Sequence, residues 1–182
     1  MADIIHTGMF ADGGVIGTNP SIIGGTWAVR WVENDVPLTE KSGVVAAGYH
    51  DGMGGSYACM PTVTNNLTEM LAVIRALQAL PKSWTGIVYS DSAITLGRVF
   101  GGWKWTGIPA WMHQEYQRER LRLVNWSRIG YVNLQGHPTQ SELATGIGKS
   151  GRPVSIHNVW ADKECGKAGA AYLERMNPAV MA

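Results

Sequence analysis

The chain has 182 residues, is 45% hydrophobic and carries a formal net charge of +1, which suits one compact domain with a core that needs no covalent staples. So small a charge excludes a surface that traps anions over its whole area, because wide phosphate binding shows as a clear basic excess. Two cysteines, Cys59 and Cys165, far apart and without zinc-ligand spacing, exclude a disulfide framework and a zinc centre and suit buried, reduced thiols.

The segment Met1 to Phe10 has no basic leader followed by a long apolar run, and no later stretch reaches bilayer length. A soluble, cytoplasmic protein is expected. Strands are predicted over Ile4 to Ala11 and Gly25 to Val32, with glycine-rich Gly13 to Gly25 as a hairpin connection, and over Leu38 to Ala47. Short links make these three antiparallel, since parallel neighbours need a crossover of a dozen or more residues. Gly48 to Pro61, rich in glycine and small residues, reads as an exposed loop.

From Asn66 the period changes. Met70, Val73, Ile74, Leu77 and Leu80 recur on one helical face until Pro81 stops the run. Ile87 to Ser90 reads as a strand, followed by Asp91 and a helix through about Phe100; this alternation makes parallel pairing the natural continuation of the sheet. A helix is predicted over Pro109 to Asn125, a last strand over Ile129 to Leu134, and a final helix over Asp162 to about Arg175. In that final helix Ala168, Ala171, Tyr172 and Met176 form the expected packing stripe. No repeat or linker divides the chain, so residues 1–182 read as one domain.

Four acids stand at the junctions of these elements. Asp12 follows the first strand, Glu69 lies in the first turn of the first helix, Asp91 ends the central strand, and Asp162 begins the last helix. Each has a structural alternative. Asp12 before Gly13 and Gly14 suits a turn, Glu69 could close a capping box with Asn66, and Asp91 and Asp162 suit helix starts. If the antiparallel strands and the following parallel strand share one sheet, however, all four acids converge on one edge of it. Clustered carboxylates repel one another unless some are protonated or a cation joins them. Magnesium prefers such hard oxygen ligands, and two ions about 4 Å apart can activate water and stabilise a leaving oxygen in phosphodiester hydrolysis.

These segments together resemble the ribonuclease H family over most of the chain. Phe10-Ala11-Asp12-Gly13-Gly14 with Asn19-Pro20 and Gly24-Gly25 is similar to its first-strand motif, and Thr64-Asn65-Asn66 with Glu69 to its T-N-N-x-x-E helix start. Tyr89-Ser90-Asp91-Ser92 is similar to its central-strand aspartate, and Gly136-His137 followed by Asp162 to its closing motif. The resemblance implies a ribonuclease H-like α/β fold: a mixed five-stranded sheet, its first three strands antiparallel and the rest parallel, flanked by helices. It implies endonucleolytic hydrolysis of the RNA strand of an RNA/DNA hybrid, leaving 3′-hydroxyl and 5′-phosphate ends, by a monomer using two Mg²⁺, with Mn²⁺ substituting. Asp12 would bridge both ions, Glu69 and Asp91 would hold one, and Asp162 the other. His137 would assist proton movement or product departure, with His157, nearer Asp162 in sequence, as its rival.

By the same resemblance Thr64 and Asn65 would contact the DNA backbone. Asn19, Asn66 and backbone groups around Gly13 would face the hybrid's shallow minor groove, where 2′-hydroxyls mark RNA. Turn and capping roles compete at each of these positions. Ala93 departs from the family, which often has a polar residue there, and the glycine-bearing segment between His137 and Asp162 is longer than the usual flap, suggesting a lid. The family's basic handle gives way to Trp103, Lys104, Trp105 and Trp111 ahead of Arg118, Arg120 and Arg122. Tryptophans so spaced are more often core than stacking platforms, and such a charge run suits a solvated helix face. Two other functions stay open: DNA cleavage on the same fold, and a hybrid-binding module without turnover.

Overall fold

A computed structural model describes residues 3–48 and 60–177. Cys59 and most of the loop expected over Gly48 to Pro61 lie outside the described residues; Gly48 and Met60, at either side, form an antiparallel bridge.

The first strand, β1, spans Gly8–Ile16, displaced toward the C-terminus from the predicted Ile4 to Ala11. It pairs antiparallel with β2 (Gly24–Glu33) from Gly8↔Val32 to Ile16↔Gly24. Continuous pairing outweighs the strand-weakening glycines at positions 13 and 14, and a hairpin connection is left only for residues 17–23. β2 meets β3 (Val36–Ala46) through a two-residue turn, Asn34-Asp35, with φ of 49° and 63°. Asn and Asp tolerate that left-handed geometry, which matches the twist of the flanking strands.

Helix α1 (Asn65–Ala79) begins at Thr64, whose Oγ accepts the Leu67 amide at 3.2 Å. Its predicted apolar face is buried: Met70, Val73, Ile74 and Leu77 are fully enclosed, and Leu80 before Pro81 caps it. β4 (Ile87–Ser90) runs parallel to β1, and β5 (Gly130–Asn133) runs parallel to β4. Between them come α2 (Ala93–Phe100), α3 (Ala110–Arg122) and a short 3₁₀ turn, Trp126–Arg128. After β5 a short helix absent from the sequence reading, α4 (Gln140–Thr145), precedes α5 (Ile156–Met176). The strand order is β3-β2-β1-β4-β5, the mixed five-stranded sheet expected.

One face of the sheet packs Met9, Ala11, Val29 and Val88 against α1, with Val99, Trp111, Met112 and Leu123 closing the core. On the other face Ala28 packs with Ala161 and Cys165 of α5. The α5 stripe differs from the expected one. Ala161, Cys165 and Gly169 are buried, whereas Ala171 and Met176 are exposed, because the helix starts six residues earlier than predicted and presents the neighbouring face. Among the tryptophans, Trp111 lies in the core and Trp105 packs against it, while Trp103 is exposed.

Candidate active site

β1 carries Asp12 in mid-strand, opposite Ala28, so the turn role open to it in sequence does not arise. The parallel register Phe10↔Tyr89, continued two residues, brings Asp91 at the end of β4 level with Asp12. Helix α1 reaches the same point because Gly13 has no side chain: a β-carbon there would collide with the backbone of Thr68 and Glu69. Glu69 thus projects from the second turn of α1, not the first. With Thr64 as N-cap, its carboxyl plays no part in a capping box with Asn66.

Asp12, Glu69 and Asp91 each offer an oxygen within 4.8 Å of the other two. The setting is dry, for Asp12 and Glu69 are 5% and 6% exposed. Burial, followed by the charges of Asp91 and Asp162, pushes the Asp12 carboxyl up to about 8. Burial and then the charges of Asp12 and Asp91 hold Glu69 well above its usual range. Burial raises Asp91 too, opposed by its bond to Asn158 and by His137. The Gly13 amide donates to Asp12 Oδ1 at 2.9 Å, yet Glu69 Oε2 is buried with no hydrogen-bond partner. Hard oxygens crowded together, partly protonated and with one acceptor unmatched, fit a divalent cation of the magnesium type.

Asp162 lies in the second turn of α5, not at its start, and is half-exposed at the rim of the same cleft. It stands outside the tight group of three. His137, at φ 49° and 82% exposed, has Nδ1 at 3.5 Å from Asp162 Oδ2. Gly136 before it passes Asp91 so closely that a β-carbon would strike the carboxylate. The rival imidazole, His157, is 2% exposed and bonded to Asp35 Oδ1 (2.8 Å) and Arg30 (3.2 Å); it lies away from the cleft. Its bond to Asp35 pins the start of α5 to the β2–β3 turn.

The cleft has a volume of about 920 Å³ and is lined by all four acids, His137, Gly13, Asn65, Asn66 and Ala93, and by the segment between His137 and Asp162. Thr64 and Asn19 are not among the lining residues. Thr64 is spent as the α1 cap, and Asn19 Oδ1 accepts the Asn65 amide at 3.1 Å, bracing the helix start. Sequence reasoning missed Asn158, whose Nδ2 donates to Asp91 Oδ2 at 3.5 Å while its own Oδ1 is buried and unpaired. It lies four residues before Asp162, one turn away on the same face of α5, a spacing that could have drawn attention to it.

No protein-family model matches the chain. Over 90 residues it is 29% identical to a ribonuclease H of Chlorobaculum parvum, and over 92 residues 30% identical to one of Chlorobium phaeovibrioides. Each match covers 42% of this chain and 59% of the relative, so the chain spans about three fifths of the length of the curated relatives it matches. The N-terminal RNase H domain of a Mycobacterium tuberculosis protein, solved as a maltose-binding-protein fusion, superposes with a TM-score of 0.59 at 18% identity, covering 93% of this chain and 99% of that one. RNase H1 of the halophilic archaeon Halobacterium salinarum superposes with a TM-score of 0.55 at 18% identity, covering 88% and 94%. Over the matched part of its length the chain is similar in sequence to ribonucleases H, and it shares the fold of these two RNase H structures.

Proposed function

We propose that this protein is a metal-dependent endonuclease that hydrolyses the RNA strand of RNA/DNA hybrids, acting as a cytoplasmic monomer. The observation that carries the reading is the meeting of Asp12, Glu69 and Asp91, from a strand, a helix and a strand end, within 4.8 Å in a cleft shared with Asp162 and His137. Acids with purely structural roles pair with cations or cap helices; these three face each other. Relatives named ribonuclease H at 29–30% identity support the reaction class.

Asp12, Glu69 and Asp91 would hold one Mg²⁺ or Mn²⁺, and Asp12 with Asp162 a second. When bound, such ions supply a lowered pKa for coordinated water and neutralise charge gathering on the phosphate. The protein's own groups do the rest. Water adds to phosphorus, the bond to the 3′-oxygen breaks, and a 3′-hydroxyl and a 5′-phosphate result. His137 turns Nδ1 toward Asp162, leaving Nε2 to hand a proton to the departing oxygen. Asn66 and the Gly13 backbone, both on the cleft wall, would read the hybrid's minor groove together with Asn19, which braces the α1 start, while Asn65, also on that wall, and Thr64 would contact the DNA backbone. Ala93, also on that wall, has no polar atom to add a contact there.

The test is incubation with labelled RNA/DNA hybrid, duplex DNA and duplex RNA in Mg²⁺ or Mn²⁺. Cleavage confined to the RNA of the hybrid, and reduced at least a hundredfold by Asp12→Asn with folding intact, is the expected outcome; this is the order of loss seen when a principal transition-state contact is removed. Cleavage of duplex DNA instead, or activity that survives Asp12→Asn, contradicts it.

A further inference from the structure

The segment between His137 and Asp162 is folded and anchored. Thr139 and Glu142 form a reciprocal capping box at α4, and Gly146 closes that helix in the left-handed conformation. Ile147 bridges Pro153, the Gln135 amide donates to the Pro153 carbonyl at 2.9 Å, and Gly151, at φ 78°, donates to the Gly148 carbonyl. Gln135 Oε1, at the end of β5, accepts both the amide (2.9 Å) and the hydroxyl (2.7 Å) of Ser150. These bonds fix the segment to the strand that enters the cleft, so what it displays is held in place rather than swung in as a lid.

It displays positive charge. Among the cleft-lining residues Lys149 and Arg152 are the only lysine and arginine, in a cleft that Asp12, Glu69, Asp91 and Asp162 also line. Glu142, another acid of the cleft wall, is already engaged: its carboxylate accepts the Thr139 amide (2.7 Å), the Lys149 amide (2.7 Å) and Gln135 Nε2 (3.1 Å). Lys149 Nζ has no ion-pair partner among the described residues. Arg152 is oriented by Asn133 Oδ1 (2.8 Å) and Ser150 Oγ (3.1 Å), which satisfies two donors of the guanidinium and keeps its full charge.

Building on the proposed nuclease function, we propose that this segment is a phosphate clamp: Lys149 and Arg152 bind a backbone phosphate of the cut strand next to the one over the carboxylates. A polyanion entering an acidic cleft needs fixed cations at its rim, and a cleft this large takes more than one phosphodiester. An oriented guanidinium matches phosphate geometry, and an unpaired ammonium adds a point charge.

The experiment measures hybrid binding by fluorescence anisotropy in Ca²⁺, and cleavage in Mg²⁺, for the wild type, Lys149→Gln and Lys149→Gln/Arg152→Gln across a salt series. Each phosphate contact contributes about 0.9 to the slope of log K against log salt. The double variant is expected to bind roughly tenfold more weakly near 0.1 M salt, with a slope lower by about 0.9, the contribution of that one phosphate, and to raise KM with kcat held within about twofold. A methylphosphonate that removes the charge of the neighbouring phosphate should erase the difference between the wild type and the double variant. Lys149→Gln, which breaks no side-chain hydrogen bond or ion pair among the described residues, should show about half the slope change, so the test survives if loss of Arg152 loosens the segment. Unchanged binding and slope in both variants would overturn the clamp while leaving hybrid cleavage intact. Lys149-dependent binding by a wild type that cleaves nothing would uphold the clamp and remove the nuclease reading.

Discussion

Asp12 and Glu69 sit where a carboxyl group keeps its proton more readily than its charge. Burial, with the charges of Asp91 and Asp162, pushes Asp12 from its ordinary 3.8 up to about 8 in the folded protein, so the folded state binds that proton more tightly than the unfolded chain. The sign follows from linkage: the group's contribution is most favourable below about pH 4 and is lost as pH climbs through 8. Thermal melts in a chelator should therefore show a Tm that falls from pH 5 to pH 8, with the fall flattened in Asp12→Asn. Added Mg²⁺ or Mn²⁺, which binds the ionised form, should raise Tm most at the alkaline end. A chelated protein equally stable across that range, or a metal effect independent of pH, would contradict the electrostatics described. The identities of these residues were legible in sequence because acids of this kind stood at element junctions within recognisable motifs. Their placement within the elements was less so. Asp12-Gly13-Gly14 has the local composition of a turn, and only pairing with a strand more than ten residues away makes it strand.

At the scale of elements, the close approach of β1 and α1 rests on a missing methyl group. Gly13→Ala would drive a β-carbon into the backbone of Thr68 and Glu69, and backbone has no rotamer by which to yield. A loss of about 3 kcal/mol is expected, the upper end for overpacking, read as a lowered denaturant midpoint; a variant as stable as the wild type would show that the contact can relax. The α4 segment makes a second prediction. Three N–H donors hold the Glu142 carboxyl down to about 2 against its ordinary 4.5. The order they impose is complete above about pH 4.5 and lost as pH falls toward 2, so amide exchange at Thr139 and Lys149 should quicken across that window while the β1 amides stay protected. Exchange rates at those two amides that follow only the intrinsic pH dependence would contradict it. The helix was readable in principle: Thr139-x-x-Glu142 is a capping-box signature, obscured by the glycines that follow. The α5 stripe was misread because the helix start was placed at Asp162 rather than Ile156, and a wrong start assigns the wrong face.

Across the whole molecule, the strand directions were accessible from loop lengths, since two short links force antiparallel neighbours and helical crossovers permit parallel ones, whereas the five-stranded mixed sheet came with the resemblance to the ribonuclease H family and the place of β4 beside β1 from the structure. The anchoring of residues 138–155 to β5 was not accessible, because it depends on Gln135 meeting Ser150 across a fold that no local pattern encodes. The central claim is that folding brings carboxylates from remote parts of the chain together to share divalent metal. Anomalous diffraction from crystals soaked in Mn²⁺ tests it most directly. A peak at roughly 2.1 Å, the distance typical of magnesium–oxygen bonds, from oxygens of Asp12, Glu69 and Asp91, with a second between Asp12 and Asp162, is the result expected; well-ordered carboxylates with no peak among them would contradict it.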